Sequence, residues 1–314
     1  MSPPRNCRWR SATSCSSAIV PVTFLRESGR NTIASNLNGR LCLVTGASRG
    51  VGRGVALGLA EAGAIVHVTG RTEREGEHPD GLDREGSLAA VIEAAQAYPG
   101  RIIAHRVDHS SDAETEAVVR SVIAGEGRLD LLVNSAWGGY ERMVEGDRFT
   151  WEDPLWQQPM WRWDAMMDVG VRSAYCGIRI AAETMARQQS GLIVNVSFWA
   201  AQKFMQNVVY GVAKAAMDKM VRDVAVQLRP FNVAAVSLYP GLVRTEAVMR
   251  EQESFDMSNS ESMEFQGRAV AALAADPAIM NKSGRVFSSA DLALEYGFAD
   301  IDGYRPRPLT LETA

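Results

Sequence analysis

Lysine is scarce in this chain. Of 33 basic residues only four are Lys (Lys203, Lys214, Lys219 and Lys282), so a task that needs an ammonium group has few candidates. Histidine is as rare, and His67, His78, His105 and His109 sit in none of the spacings that hold zinc, so no metal is expected. The four cysteines follow no disulfide framework. Cys7 and Cys15 lie in the leading segment, Cys42 in an apolar strand-like run and Cys176 in a helical one, which reads as reduced, buried thiols. No stretch reaches the roughly 18 apolar residues of a membrane span. A net charge of −4 lacks the basic excess of a nucleic-acid binder.

What is present is an ordinary globular balance. The 314 residues are 46% apolar and 22% charged, enough for a sizeable core and too apolar for a disordered chain. Charge is uneven: residues 1–40 carry six Arg and one Glu, a net of +5, which leaves −9 for the remainder. Residues 1–38 read as a disordered leader or a start codon assigned too far upstream. A targeting peptide is the weaker alternative, since the apolar stretch Ser17–Leu25 is short and broken by Pro21. Residues 304–314 read as a tail. A cytoplasmic location is expected.

From residue 39 short apolar runs alternate with helical stretches. Strands are expected at Leu41–Thr45, Ala64–Thr69, Arg101–Val107, Leu129–Val133, Leu192–Val196, Val233–Leu238 and near Val286. Helices are expected at Val51–Ala62, Asp83–Tyr98, Asp112–Gly125, Asp164–Gln188 and Asn207–Leu228. The strands are apolar throughout, the mark of a sheet buried on both faces. The expectation is one doubly wound α/β domain over 39–303, with a parallel sheet of about seven strands. Two segments break the rhythm. Gly138–Trp163 carries four Trp, and Thr245–Glu264 is Met-rich, acidic and poor in helix signals. Both follow strands, so both should lie at the carboxyl edge of the sheet, where a substrate lid would sit. Within and beside them Tyr140, Trp151, Trp156, Phe198, Trp199 and Met205 are the candidate pocket walls.

The first strand runs into Gly46-Ala47-Ser48-Arg49-Gly50-Val51-Gly52 and then a helix. Gly46 allows a tight turn, Gly50 lets the backbone approach a pyrophosphate, and Gly52 lets helix and strand close. The free amides at such a helix start attract phosphate. A chain that prefers NAD(H) places an acid after the second strand. This one has Val68-Thr69-Gly70-Arg71 and a second Arg at 49, which suits the 2′-phosphate of NADP(H).

Tyr210 and Lys214 stand four apart, on one face of a helix. An ammonium beside a phenol should lower the phenol pKa and ready it for proton transfer. Ser197, at the carboxyl end of a strand thirteen residues earlier, can bond a carbonyl oxygen held beside Tyr210.

Together the glycine loop, Asn134-Ser135-Ala136, the Ser197…Tyr210-x-x-x-Lys214 set and Pro240-Gly241-x-x-x-Thr245 resemble the classical short-chain dehydrogenases/reductases over 39–303. The resemblance implies a Rossmann fold and a nicotinamide cofactor. It implies Tyr210 as proton donor to a carbonyl, Lys214 on the nicotinamide ribose, and Ser197 as the group that orients the carbonyl. It puts Asp108 at the adenine and Asn134, Ser135 and Ala136 beside the central strands and cofactor. Pro240, Gly241, Val243 and Thr245 should line the nicotinamide. It further implies a homodimer or homotetramer and a small lipophilic ketone, aldehyde or quinone as substrate, steroid-like compounds among them. The rival expectation is a non-catalytic NADP(H) sensor. One departure stands out: where the family usually has Asn, in V-N-L, this chain reads Val169-Gly170-Val171.

Overall fold

The computed structural model describes residues 36–77, 85–145 and 148–314. Residues 1–35, on which the expected leader mostly falls, with Cys7 and Cys15, and His78 lie outside the described residues. In chain order the strands are β1 (Leu41–Val44), β2 (Ile65–Gly70), β3 (Arg101–Arg106), β4 (Leu131–Asn134), β5 (Val144–Glu145), β6 (Arg148–Phe149), β7 (Gly191–Val196), β8 (Val233–Tyr239) and β9 (Val286–Ser288). Seven of them form one parallel sheet in the order β3-β2-β1-β4-β7-β8-β9, while β5 and β6 make a separate antiparallel hairpin.

The strand residues alternate between two cores. Cys42, Val44, Val66, Val68, Leu131 and Val133 face the first, and Leu41, Leu43, Leu132, Ile193, Val233 and Ala235 the second. Both faces are covered, so both sets are apolar. Each fully buried Val or Leu side chain stabilises by about 1.5–3 kcal/mol. Helix α1 (Gly50–Glu61), α2 (Leu88–Ala94), α8 (Met263–Ala275) and α9 (Ser289–Tyr296) cover the first core; α3 (Asp112–Glu126), α5 (Ser173–Gln188) and α6 (Val208–Leu228) cover the second.

Some elements differ from the sequence expectation. The helix expected from Asp83 starts at Leu88, because Ser87 caps it by accepting the Ala90 amide, and it ends in a 3₁₀ turn at Ala95–Ala97. The long helix expected from Asp164 starts earlier, as α4 (Met160–Asp164). It then widens into a π-helical stretch, Ala165–Arg172, before α5. Helix α8 was not anticipated, nor was α9. Ser262 caps α8 by accepting the Phe265 amide. The helix packs backbone to backbone on α1: a Cβ at Gly54 would lie 1.9 Å from the Met263 carbonyl oxygen, and one at Gly58 2.6 Å from Gly267 Cα. The segment from Thr245 is mostly turns with one short helix, α7 (Glu246–Arg250).

The strand order reverses between β1 and β4. The loops that leave these two strands at their carboxyl ends therefore flank one crevice. Among the described residues no helix is long and apolar enough to cross a membrane.

Candidate active site

The glycine loop lines one side of the crevice. Gly46 and Gly50 adopt φ of +66° and +55°, where an L side chain is strained. A Cβ on Gly46 would lie 2.6 Å from Ala136 Cα, and one on Gly52 2.3 Å from the Gly46 carbonyl oxygen. The loop and the Asn134-Ser135-Ala136 turn thus close on each other. Thr45 Oγ1 stitches them, accepting the amides of Ser135 and Ala136 at 3.1 and 3.2 Å. Ser48 is buried beneath the loop and Val51 packs on the first core. Asn134 donates to Asn195 Oδ1 at 2.8 Å, and Asn195 donates to the Met217 carbonyl, so β4, β7 and α6 are tied in the interior.

A one-way hydrogen-bond chain holds the loop from below. The Gly46 N–H donates to Thr69 Oγ1, which pairs with His109 Nε2 at 2.7 Å. His109 Nδ1 pairs with Thr115 Oγ1 at 3.0 Å, and Thr115 donates to the Ser111 carbonyl. Only a neutral imidazole with its proton on Nδ1 satisfies every partner. Burial enforces that form, lowering the His109 pKa to about 4.

At the far end of the crevice Arg49 donates to Thr72 Oγ1 and the Gly86 carbonyl, beside the end of β2. Arg71 is ion-paired with Glu141, from the loop after β4. Burial raises the Glu141 pKa, against the pull of Arg71. Burial also pushes Asp108 up, but two hydrogen bonds from Ser110 and the nearby Arg71 take it below the usual carboxylate range. A second carboxylate enters from the other loop: Glu246 Oε2 accepts the Gly50 N–H at 3.0 Å. Thr245 caps α7 through the Val248 amide. Gly241 is held by buried Glu261, which accepts the Gly241 N–H at 2.9 Å and the Ser289 hydroxyl at 2.7 Å; Pro240 is buried beside it, and Val243 is buried and bridges to Glu261 in backbone register.

The three residues expected to form a proton-transfer set, Ser197, Tyr210 and Lys214, come together at the carboxyl ends of β7 and β4. Asn207 caps α6 by accepting the Tyr210 amide at 3.1 Å, which fixes the first turn, carrying Tyr210, with Lys214 one turn on. Ser197 Oγ donates to the Lys214 carbonyl at 3.2 Å. All three side chains are buried. Tyr210 is boxed by aromatic rings, with Trp151, Trp137, Tyr140 and Phe198 centred 5.2, 5.7, 6.1 and 6.1 Å away. The Tyr140 and Tyr210 hydroxyls are 3.1 Å apart. Burial raises the Tyr210 pKa well above the ordinary phenol value, and Tyr140 and Tyr239 add to the rise. This corrects the expectation of a phenol lowered by Lys214. The ammonium lies 5.7 Å from the Tyr210 ring, and burial lowers its own pKa to about 7. Tyr210 is therefore a protonated phenol at neutral pH.

The pocket candidates divide. Tyr140, Trp151 and Phe198 meet Tyr210, and Met205 packs on the same cluster. Trp199 turns instead onto Tyr239, ring centres 5.3 Å apart. Trp156 corrects the expectation of a pocket wall: it is 83% exposed, on a one-turn 3₁₀ helix between Pro154 and Pro159 that carries it outward. The segment Gly138–Trp163 is pinned by buried Arg162, which donates to the Thr150 carbonyl at 2.8 Å. Sequence reasoning missed Trp137, Glu141, His109, Glu246 and Glu261. For Trp137 there was a signal, since it directly follows Asn134-Ser135-Ala136. The other four meet their partners across long sequence separations, which no local pattern reveals.

The short-chain dehydrogenase family model matches residues 40–255. The chain belongs to the short-chain dehydrogenases. It is 41% identical over 281 residues to dehydrogenase/reductase SDR family member 1 of Mus musculus, covering 85% of each chain. It is 27% identical over 213 residues to the 7alpha-hydroxysteroid dehydrogenase of Escherichia coli K12, covering 68% of this chain and 74% of that one. Among solved structures it matches a metagenomic short-chain oxidoreductase in complex with NADP, at 26% identity and a TM-score of 0.59, covering 77% of this chain and 93% of that one. As a short-chain dehydrogenase the chain is an oxidoreductase with a nicotinamide cofactor. The glycine loop fits that group: the Gly50 N–H at the start of α1 already faces a carboxylate oxygen, that of Glu246, an anion where the pyrophosphate would be held. Among the described residues no group of His, Cys, Asp and Glu could hold a metal.

Proposed function

We propose that this short-chain dehydrogenase reduces the carbonyl of a lipophilic ketone, aldehyde or quinone with NADPH, and that Tyr210 is the proton donor. The observation that carries the reading is the buried, protonated Tyr210 hydroxyl inside an aromatic box, with Lys214 and Ser197 at its base. The cofactor, when bound, supplies the hydride. The residues of the chain do the rest. Ser197 and Tyr210 hold the carbonyl oxygen, and the Tyr210 O–H bond breaks toward that oxygen as negative charge develops there. Lys214 keeps a positive charge beside the phenolate so formed. Trp151, Phe198 and Met205 exclude water and favour an apolar substrate body. The steroid substrate of the Escherichia coli relative makes a steroid-like compound the first candidate.

The preference for NADPH rests on Arg49 and Arg71 at the end of β2, with no acid at that position. Subunit association through α5 and α6 is part of the same reading: Tyr175, Val212 and Val226 expose apolar surface on those helices. The test is NADPH oxidation, followed by absorbance, over a panel of ketones, aldehydes and quinones. The reading expects turnover with at least one apolar member, and the same panel with NADH to be slower.

A further inference from the structure

Lys214 has few partners for a buried cation. Its Nζ donates to the Val196 carbonyl at 3.4 Å, and among the described residues no carboxylate is within ion-pair distance. Asp218, one turn along the same helix, attracts it from farther off but is bonded to the Tyr239 hydroxyl of β8. The Tyr210 ring is 5.7 Å away, also on α6. What does lie close is the face of Trp137, from the loop after β4, with Nζ 4.0 Å from a ring centre.

The indole has a seat made for it. A Cβ on Gly170 would stand 2.6 Å from Trp137 Cζ3, and one on Gly139 2.6 Å from Cζ2. Only glycine at both positions leaves the slot open. Gly170 lies in the π-helical stretch Ala165–Arg172, whose widened turn brings a bare backbone up to the ring. The tryptophan thus fills the space above the position where the related enzymes were expected to have a side chain.

We propose that Trp137 is a positioning residue for Lys214: its π face, seated on Gly170 and Gly139, holds the ammonium charged and in register with Tyr210. This rests on the Tyr210–Lys214 reading of the site. A cation over an indole face is attracted by the ring quadrupole, most strongly where water is excluded. The Tyr140–Trp137 edge contact, 5.9 Å between ring centres, ties the same indole to the aromatic box. Burial alone would discharge Lys214 near neutrality, and the indole acts against that.

The scarcity of lysine makes the test direct. Labelled at the side-chain nitrogen, the protein carries four Lys signals, and Lys214→Met assigns the one in question. Its titration midpoint is read by NMR in the unmodified protein, in Trp137→Phe and in Trp137→Leu, without any need for turnover. The midpoint should fall by about one pH unit in Trp137→Leu and by less in Trp137→Phe, which keeps an aromatic face. A tryptophan fluorinated on its benzo ring, placed at 137, nearly keeps the shape and weakens the negative face. It should lower the midpoint too, and it guards against a Trp137→Leu chain that does not fold. Gly170→Ala, which crowds the indole off its seat, should act in the same direction. An unchanged midpoint in the fluorinated protein and in Trp137→Leu would overturn the proposal. If the midpoints shift while no carbonyl substrate is ever turned over, the positioning role stands and the reductase reading fails.

Discussion

Glu246 Oε2 accepts the Gly50 backbone N–H at 3.0 Å, and Arg53 lies 3.5 Å from the other oxygen of the same carboxylate. A negative charge thus sits at the start of α1, where a pyrophosphate would compete for the same amides. Glu246→Gln should therefore bind NADPH and NADH more tightly, each by up to about fivefold, the scale of one charge at a helix start. Calorimetry on both cofactors checks this. Weaker binding in the variant would mean that Glu246 helps to hold the cofactor rather than to exclude it.

Glu141 should act on one cofactor only. It pairs with Arg71, at the end of β2, away from the pyrophosphate cradle. Glu141→Gln frees the guanidinium for a 2′-phosphate, so NADPH should bind more tightly and NADH should not change. Arg71→Asp should reverse the preference, because each charge-assisted contact contributes about 1.5–3 kcal/mol. Equal affinities for NADPH and NADH in the unmodified protein contradict the assignment.

His109 makes stability depend on pH. Its folded pKa is lowered to about 4, against an ordinary value near 6.5. Above pH 6.5 both folded and unfolded forms are neutral and the group has no effect. Between 6.5 and 4 the unfolded chain takes up the proton first, so stability falls as pH falls, by roughly 3 kcal/mol in all. His109→Gln should be less stable at pH 7 but lose less between pH 7 and 4. Parallel melting profiles for the two proteins across that range would show that His109 is not responsible.

Much of this was legible in the residues. Most of the strands could be read because a sheet covered on both faces is apolar along most of each strand, as in Leu41–Val44, whereas the edge strand Arg101–Arg106 keeps only Ile102, Ile103 and Ala104. The glycine loop and the Ser197, Tyr210, Lys214 spacing are local in sequence, so their placement on turn, strand end and helix followed. Helix α8 was not legible: its first turn follows a Met-rich acidic stretch, and it is held by a backbone contact of Gly267 with α1 more than 200 residues earlier. The Tyr210 pKa went the other way because burial is a property of the assembled box, and the Tyr–Lys spacing alone does not contain it.

Tyr140 touches the proposed acid without being it. Its hydroxyl is 3.1 Å from that of Tyr210. Tyr140→Phe removes one neutral hydrogen bond, worth about 0.5–1.5 kcal/mol, so turnover should change by about tenfold or less. Steady-state kinetics on the best substrate measures it. A loss of a thousandfold would move Tyr140 into the proton-transfer step itself.

The central claim is that the Tyr210 hydroxyl delivers the proton. Tyr210→Phe removes that one oxygen and leaves the ring in its box of Trp151, Trp137 and Phe198, so fold and NADPH affinity should be nearly unchanged. The decisive measurement is the NADPH-dependent turnover of the best carbonyl substrate by Tyr210→Phe beside the unmodified protein, with calorimetric NADPH affinity recorded on both. The account predicts a loss of at least ~10²-fold in turnover at matched affinity, the scale of a lost general acid. Turnover at the unmodified rate would contradict it.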